Sequence, residues 1–379
     1  MKKQFPIVKK APIFIAVSLA IIVIGLCFFG YRWIAHGIGK TLNLTVDFTG
    51  GTIMSVNLNE TFQESDVKGV IEGLGITDVS VNKITSSDTD ELTVAEIRFK
   101  EESASKLADN QNELRDKINE ALKAKYPNLD TSGSNNTIES VGATISREYV
   151  ESALASVLLA AAAILVYVSW RFDSDVKNAK RTRWINTVIL VAALILFYNF
   201  KENFTVVAVT TLVAIAGILF TSIRNRMFSG LSAVIALLHD VLIMFAFMEI
   251  LYVPLGNPFI AVALTIIGYS INNTIVIYDR IRELSGRVAA KDLDRANVAN
   301  DAINQMLGRT IKTSVTTLIT AVAIYVLGVD AVKEFALPMI VGLVAGTYSS
   351  IFWASPVWAV WQKNLDGKRR AKLSAEKTA

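Results

Sequence analysis

The chain has 379 residues, of which 52% are hydrophobic and 19% are charged, and its mean hydropathy is +0.42. A soluble domain carries roughly 25% charged residues. The composition therefore excludes an ordinary soluble protein and predicts a polytopic α-helical membrane protein. The formal net charge is only +4, and the single cysteine, Cys27, lies in an apolar run, which excludes an internal disulfide.

Eight segments reach the length of about 20 mainly apolar residues that a transmembrane helix needs. The first follows four lysines and has no small-residue cleavage site, so we expect a retained helix and not a signal peptide. The predicted spans are residues 11–31, 152–170, 184–200, 203–223, 227–248, 258–278, 313–329 and 335–361.

The distribution of Lys and Arg predicts the orientation of these spans. The predicted inner loops and the tail, residues 362–379, are rich in Lys and Arg, whereas the short outer connections are poor in them. Because cytoplasmic loops carry the excess of basic residues, we expect both termini in the cytoplasm. Residues 37–148 would then lie outside, after a first unit at residues 1–36.

The outer segment, residues 37–148, alternates strand and helix patterns. Residues 42–48, 52–58, 79–84, 92–99 and 137–141 have the period of two that is typical of strands, and residues 65–74 and 103–125 have helical spacing. After the first short strand, the order β-α-β-β-α-β predicts an extracytoplasmic α+β domain of the ferredoxin-like type.

A charged and amphipathic stretch, residues 279–309, lies between two predicted spans. Its apolar and polar residues alternate with helical spacing, which predicts a helix along the inner membrane surface. A plain structural linker is the alternative. The predicted organisation is completed by a second span at residues 149–171, a two-helix segment at residues 172–226 and a four-helix bundle at residues 227–361.

Asp240 is the most informative residue because it is a carboxylate within an apolar span. His239 and Asp240 are the only ionisable residues between positions 227 and 248. A charged residue near the bilayer centre costs at least about 2.5–3.5 kcal/mol, and such residues usually mark an ion path, a proton relay or a partner contact. A hydrogen bond that only fixes helix packing is the structural alternative.

Other motifs are weaker taken singly. Gly50 and Gly51 permit a turn or bulge with positive φ. Gly268 is expected to allow close helix approach beside the polar pair Asn272 and Asn273. The spacing of Gly342 and Gly346 indicates helix packing. The sequence has no P-loop, GxSxG, HExxH or CxxC motif, so we expect no enzymatic activity, cofactor or metal site.

These segments together resemble the SecF family of protein-translocase subunits. The resemblance covers residues 1–171 and 227–361 and rests on the order of six motifs, which are DFTGGT, VGATISREYVESA, AVIALLHDV, IIGYSINNTIVIYDRIRE, GRTIKTSVTT and GLVAGTYSSIF. It implies membership of the resistance-nodulation-division superfamily, normally with six spans, and use of a proton or sodium gradient. Asp47, Gly50, Gly51, Gly268, Asp279 and Arg280 belong to these motifs.

The chain departs from the family pattern in two ways. Residues 172–226 contain two additional predicted spans, which indicates an inserted hairpin. The family typically has Asn-Asp where this chain has Asn272 and Asn273, and that Asp is regarded as part of the coupling machinery. An Asn cannot lose a proton, so ion sensing would fall to Asp240, beside His239, or to a partner. The family's matching arginine is present as Arg309.

The resemblance implies a subunit of the Sec protein-export complex in the plasma membrane of a bacterium. Its expected partners are a SecD-like subunit, the Sec translocation channel, secretory polypeptide and membrane lipid, with no nucleic acid. One alternative is a stand-alone exporter of lipid or small molecules from the same superfamily. Another is a purely structural subunit that stabilises SecD without moving ions.

Overall fold

A computed structural model describes residues 5–36, 42–45, 48, 50–76, 79–84, 93–99, 110–130, 136–141, 143–173, 179–200, 203–288, 294–328 and 330–363. Asp47, part of the predicted helix at residues 103–125 and nearly all of the basic tail lie outside these residues. The first described helix, α1, is Ile7–His36. It contains the predicted first span and extends it at both ends.

A small α+β unit follows α1. Its elements are β1 (Gly51–Asn57), α2 (Glu64–Gly73), β2 (Ser80–Ile84), β3 (Val94–Phe99), α3 (Gln111–Lys123) and β4 (Thr137–Val141). The four strands form one sheet in the order β2-β3-β1-β4, and every neighbouring pair is antiparallel. Met54 and Val56 of β1 are buried, and the intervening Ser55 is half-buried, as period-two patterning requires. They pack with Leu114, Ile118 and Leu122 of α3 in a single core.

Seven further helices follow in the part of the chain that the structure describes. They are α4 (Ala143–Phe172), α5 (Ala179–Asn199), α6 (Phe204–Arg224), α7 (Phe228–Leu251), α8 (Asn257–Gly286), α9 (Arg295–Leu327) and α10 (Asp330–Ser349). After α10, the chain forms a π-helical turn, Ser350–Ala354, and continues as helix to Lys363. Together with α1, these make eight described helices that are long and apolar enough to cross a membrane. The chain is thus a multi-pass helical membrane protein.

Helix α7 lies at the centre of the helical bundle and is the most buried of the eight. It packs against α1, α4, α8 and α10. Helix α9 is the least buried of the eight, and it contacts mainly α8 and α10. The polar residues near the middle of α7 are therefore enclosed by neighbouring helices, whereas those of α9 are mostly exposed.

The hairpin formed by α5 and α6 packs on α4. Its polar side chains lie inside the seam: Asn186 donates to the Ser222 hydroxyl at 3.0 Å, and the Trp170 indole of α4 donates to Thr187 at 2.8 Å. Its outer face is apolar and exposed, with Val188 and Leu212 as examples. This arrangement fits a hairpin at the edge of the bundle with one face toward lipid.

The predicted strand at residues 42–48 is wrong. Leu44 forms a single parallel bridge with Leu255, and Phe48 has helical backbone. The reason is a different set of backbone partners: Thr45 N–H donates to Leu255 O at 2.9 Å, and Leu255 N–H donates to Asn43 O at 2.7 Å. Residues 43–45 are thus joined to the α7–α8 loop, and none of the described residues of this segment pairs with the sheet.

The predicted helix at residues 103–125 begins later than expected. Helix α3 starts at Gln111 because Asn110 has extended backbone and its side chain accepts the Glu113 N–H at 2.9 Å, which is an N-cap. The preceding residues, 100–109, lie outside the described part of the chain.

The predicted separate helix at residues 279–309 is also wrong in the described residues. Positions 279–286 are the end of α8, and positions 295–309 are the beginning of α9. The two ends pack together, because the Arg280 guanidinium donates to Gln305 at 2.8 Å. The polar residues were expected to end the two transmembrane helices. A helix can continue beyond its apolar segment, however, when its polar side chains form hydrogen bonds such as that between Arg280 and Gln305.

Candidate functional site

The carboxylate of Asp240 is 1% exposed and is held by donors from three helices. Ser270 of α8 donates to Oδ2 at 2.5 Å, and Ser349 of α10 donates to the same oxygen at 2.8 Å. His239 Nδ1 lies 3.0 Å from Oδ1. We call these four residues the Asp240 centre. The predicted carboxylate is thus fully enclosed, and the chain itself supplies its hydrogen-bond partners.

His239 has one satisfied and one unsatisfied ring nitrogen. The side chain is 3% exposed, and its Nε2 has no hydrogen-bond partner among the described residues. The ring lies 4.8 Å from the Trp353 ring and 6.3 Å from the Tyr348 ring, measured between centroids. Buried polar atoms are normally paired. Buried polar atoms without a protein partner are commonly satisfied by an ordered water.

At the start of the π-helical turn, Ser350–Ala354, two consecutive serines contact two different helices, α7 and α8. Ser349 reaches Asp240, while the Ser350 hydroxyl donates to Ser270 O at 3.2 Å. Thr274 of α8 in turn donates to the Ser350 hydroxyl at 3.3 Å. Consecutive residues of a regular α-helix point about 100° apart, and π-bulges occur frequently at functional sites.

A second polar cluster surrounds Asn273, whose side chain is 9% exposed. Its Nδ2 donates to Ser314 of α9 at 3.3 Å, and Thr347 of α10 donates to the same serine at 2.7 Å. These residues line a small cavity between α8, α9 and α10, which Thr313 and Ser270 also border. We call it the Asn273 pocket. Ser270 links it to the Asp240 centre because its hydroxyl bonds to Asp240.

The glycines near these clusters differ in how closely a neighbouring helix approaches them. A Cβ on Gly342 would lie 2.5 Å from Ile266, and one on Gly346 would lie 2.9 Å from Ser270 Cβ. The predicted packing role of this pair is confirmed. Gly268 is exposed, and a Cβ there would meet nothing within 4 Å. The expected close approach at Gly268 is therefore wrong for the described residues, because α10 passes the opposite face of α8.

Two predicted coupling residues lie outside these clusters. Asn272 is exposed on α8, one residue away from the buried Asn273. Arg309 is exposed on α9, and no described hydrogen bond joins its side chain to Asn273. The described chain therefore shows no hydrogen bond between Asn273 and Arg309. Ser314 takes that position because it lies farther along α9, beside Asn273.

The remaining motif residues make structural contacts. Asp279 pairs with Arg171 of α4 at 3.1 Å, and Arg280 pairs with Glu283 and Gln305. These contacts join the ends of α4, α8 and α9. Gly50 and Gly51 have φ values of 70° and 135°, so the predicted positive φ before β1 is confirmed.

Sequence reasoning missed two buried ionisable groups. Glu249, near the end of α7, pairs with Arg32 of α1 at 3.1 Å. Asp173, just after α4, is 2% exposed and accepts the backbone N–H groups of Ser229 and Gly230 at 3.2 and 3.4 Å. Burial raises the pKa of Asp173 to about 6. Both acids stand next to predicted span ends, where the sequence does not distinguish a buried group from a solvated one.

Comparisons with known proteins agree with this architecture. The family model described as protein export membrane protein SecD/SecF, C-terminal, matches residues 121–219 and 200–364. The chain is 30% identical to the protein translocase subunit SecF of Thermodesulfovibrio yellowstonii, with 94% of this chain and 95% of the relative covered. It is also 30% identical to that of Koribacter versatilis, with 92% and 90% covered.

Solved structures show the same fold. The crystal structure of SecDF from Thermus thermophilus, a translocon-associated membrane protein, is similar with a TM-score of 0.64 and 24% identity. The match covers 95% of this chain but only 39% of that chain. SecDF in its super-membrane-facing form gives a TM-score of 0.52 at 23% identity, with 98% and 40% covered. On the family model and the identity to full-length relatives, this chain belongs to the SecF family of protein translocase subunits.

Proposed function

We propose that this chain is a SecF-like subunit of the Sec export complex, which assists polypeptide translocation with an ion gradient and a SecD-like partner. The observation that carries the proposal is the Asp240 centre. An ionised Asp240 accepts three hydrogen bonds, whereas a protonated one must donate one. Binding a proton would therefore oblige one of the three partners, His239, Ser270 of α8 or Ser349 of α10, to change its hydrogen bond. A change at either serine would couple ion binding to contacts between helices.

The SecD-like partner is supported by the surface around the Asn273 pocket. Helix α9 is exposed along most of its length, and its face carries Arg309, Lys312, Thr313 and Thr316. Polar side chains in spans usually face a bundle interior or a cavity and not lipid. A second helical bundle over α9 would cover this face and would bring a partner's polar group beside Asn273.

The proposal includes the orientation of the chain and the role of its outer unit. The α+β unit, with its β-α-β-β-α-β order, would be a ferredoxin-like extracytoplasmic domain that handles emerging polypeptide beside the Sec channel. Both termini would lie in the cytoplasm, with eight spans in the plasma membrane. The hairpin α5–α6 would be an addition to a six-span pattern, with lipid against its exposed face.

The central test is gradient-driven export by reconstituted complexes. Asp240→Asn should abolish the response of export to an imposed ion gradient, because the amide keeps hydrogen bonds but cannot take up a proton. Asp116→Asn is a matched control, since Asp116 lies on the exposed surface of α3, with 69% of its side chain accessible. An unchanged gradient response in a folded Asp240→Asn complex would leave only the structural-subunit alternative.

Two further measurements test the arrangement. In a Cys27→Ser background, Thr316→Cys should crosslink to the SecD-like partner, whereas Val209→Cys on the hairpin should not.

In intact cells, an impermeant thiol reagent should label Ser65→Cys of the outer unit and should not label Lys363→Cys. Labelling only at Lys363→Cys would reverse the orientation.

A further inference from the structure

Helix α8 carries a buried row of hydroxyl groups that extends from the Asp240 centre toward one end of the bundle. Ser270, Thr274 and Tyr278 are spaced four residues apart and are 1%, 1% and 3% exposed. Residues at this spacing lie one above the other on a helix face. A row of three buried hydroxyls in a span is costly unless each one finds a partner.

Each hydroxyl of the row has a partner on a neighbouring helix. Ser270 bonds to Asp240, and Thr274 bonds to Ser350 of the π-helical turn. The Tyr278 hydroxyl lies 2.7 Å from Ser232 Oγ of α7 and donates to a backbone carbonyl of the π-helical turn, Ala354 O, at 3.1 Å. The row thus follows the seam between α7, α8 and the π-helical turn.

Asp173 lies at the far end of this seam. Its carboxylate accepts N–H groups from the first turn of α7, at Ser229 and Gly230, one turn before Ser232. Tyr278 of α8 interacts electrostatically with Asp173. Arg171, two residues before Asp173, forms an ion pair with Asp279 instead. Because burial raises the pKa of Asp173 to about 6, this carboxylate can exchange a proton near neutral pH.

An unpaired polar atom marks the Asp240 end of the seam. His239 Nδ1 faces Asp240, and Nε2 of the same ring has no hydrogen-bond partner among the described residues. At the other end, the hydroxyl of Ser169, which is 1% exposed, lies next to Asp173 and 2.3 Å from where a Cβ on Gly230 would be. Buried polar atoms without protein partners are commonly satisfied by ordered water.

We propose that this seam conducts protons between Asp240 and Asp173, and that Asp173 is the proton-binding group at its end. The proposal rests on the proposed function, because it gives the Asp240 centre a route to the inner membrane surface. A proton leaves the Asp240 carboxyl, each hydroxyl accepts one proton and releases one, and the Asp173 carboxylate receives it. No other reactant is consumed.

Three interruptions in the row are short. One helical turn separates Ser270 from Thr274, whose partner Ser350 bonds to Ser270 only at its backbone carbonyl. Another turn separates Thr274 from Tyr278, and a third separates Ser232 from the Asp173 cap. A turn rises about 5.4 Å, which a single bridging water spans with two hydrogen bonds of about 2.8 Å each. With one water at each interruption, the seam would be continuous enough for proton hopping.

The test measures proton entry into proteoliposomes that hold the complete export complex, under an imposed proton gradient. Tyr278→Phe should lower the proton flux roughly tenfold or more, because positioned proton-transfer groups contribute factors on the order of 10² to 10⁴. Tyr167→Phe is the matched control, since Tyr167 is exposed on α4. Asp173→Asn should remove a step in flux at an inner pH near 6, and Asp173→Glu should retain one.

The outcomes separate this inference from the proposed function. If Tyr278→Phe and Asp173→Asn both leave proton flux unchanged while Asp240→Asn stops it, the seam is not the route and the proposed function stands. If Asp240→Asn also leaves the flux unchanged, the proposed function fails with it. A flux that follows sodium and not protons would overturn the seam as well.

Discussion

The Asp240 centre and the Asn273 pocket share Ser270 but are completed in different ways. Asp240 receives hydrogen bonds from three helices of its own chain, and α7 is the most buried candidate span. Asn273 has one described partner, on α9, which is the least buried candidate span. This chain thus completes its ionisable centre alone, whereas its amide pocket borders a surface that a partner can cover.

Removing the donors of the Asp240 centre should have the largest effect on stability. The double variant Ser270→Ala/Ser349→Ala deletes two hydrogen bonds to a buried carboxyl group, and bonds to charged groups contribute about 1.5–3 kcal/mol each. We expect the free energy of unfolding in detergent to fall by several kcal/mol.

The matched control for that variant is Ser314→Ala in the Asn273 pocket, where a neutral hydrogen bond is worth about 1 kcal/mol. Equal losses in the free energy of unfolding for the two variants would contradict the difference between the centres. They would show that the Asp240 carboxyl depends on its donors no more than the Asn273 amide depends on Ser314.

The next largest effect concerns Asp173 and pH. Its pKa is raised from 3.8 to about 6 by burial, so the folded state binds this proton more tightly than the unfolded chain does. The stabilisation is fully present below about pH 4 and is lost as the pH rises through 6. It amounts to roughly 3 kcal/mol, since one pKa unit corresponds to about 1.4 kcal/mol.

Denaturant unfolding of Asp173→Asn and of the unmodified protein at pH 4.5 and pH 7.5 measures this effect. The unmodified protein should lose stability relative to the variant as the pH rises. Parallel pH dependences would show that Asp173 is solvated, and Asp240 would then be the sole enclosed aspartate of the pair.

The glycine contacts between the two centres give a smaller effect. Gly342→Ala places a methyl group 2.5 Å from Ile266, and overpacking of this kind costs about 1–3 kcal/mol. Gly268→Ala is the control: its Cβ meets nothing within 4 Å, and Ala favours a helix over Gly by up to about 1 kcal/mol. Thermal unfolding should separate the two variants, and a loss at Gly268→Ala would place a packing partner there.

Asn273→Asp should have the smallest effect. Asn273 now donates to Ser314, and an aspartate could accept a hydrogen bond from the same hydroxyl after it rotates. We expect an intact fold, normal export and a stronger response of export to the gradient. Loss of partner binding in this variant would show that the pocket needs a neutral group and would sharpen its contrast with the Asp240 centre.

Much of the architecture could be predicted because the signals are local. Apolar runs identified all eight candidate spans, and period-two patterning identified the four strands of the sheet. The strand at residues 42–48 was wrong because its partner, Leu255, lies more than 200 residues away in sequence. The segment at residues 279–309 was wrong because the ends of α8 and α9 bury contacts with each other, which a hydropathy pattern does not reveal.

The candidate site was predictable only in part. Asp240 was visible because it is the only acid between positions 227 and 248 and a charge within an apolar span is costly. Ser270 and Ser349 are common residues in spans, and only the packing of α8 and α10 brings them to the carboxylate. Asp173 was hidden because it follows a span end, where charged residues are ordinary. The prediction at Gly268 was wrong because a glycine in a helix does not reveal on which face the neighbouring helix packs.

The number of residues in the π-helical turn sets the directions in which the two parts of the last helix face. One turn of that helix holds a surplus residue, and each α-helical residue rotates the chain by about 100°. The part before the turn directs Ser349 at Asp240, and the part after it places Trp358 beside Tyr278, with ring centroids 6.2 Å apart. A single-residue deletion there would restore a regular helix and rotate one part away from its target. We therefore expect this stretch to tolerate no change in length.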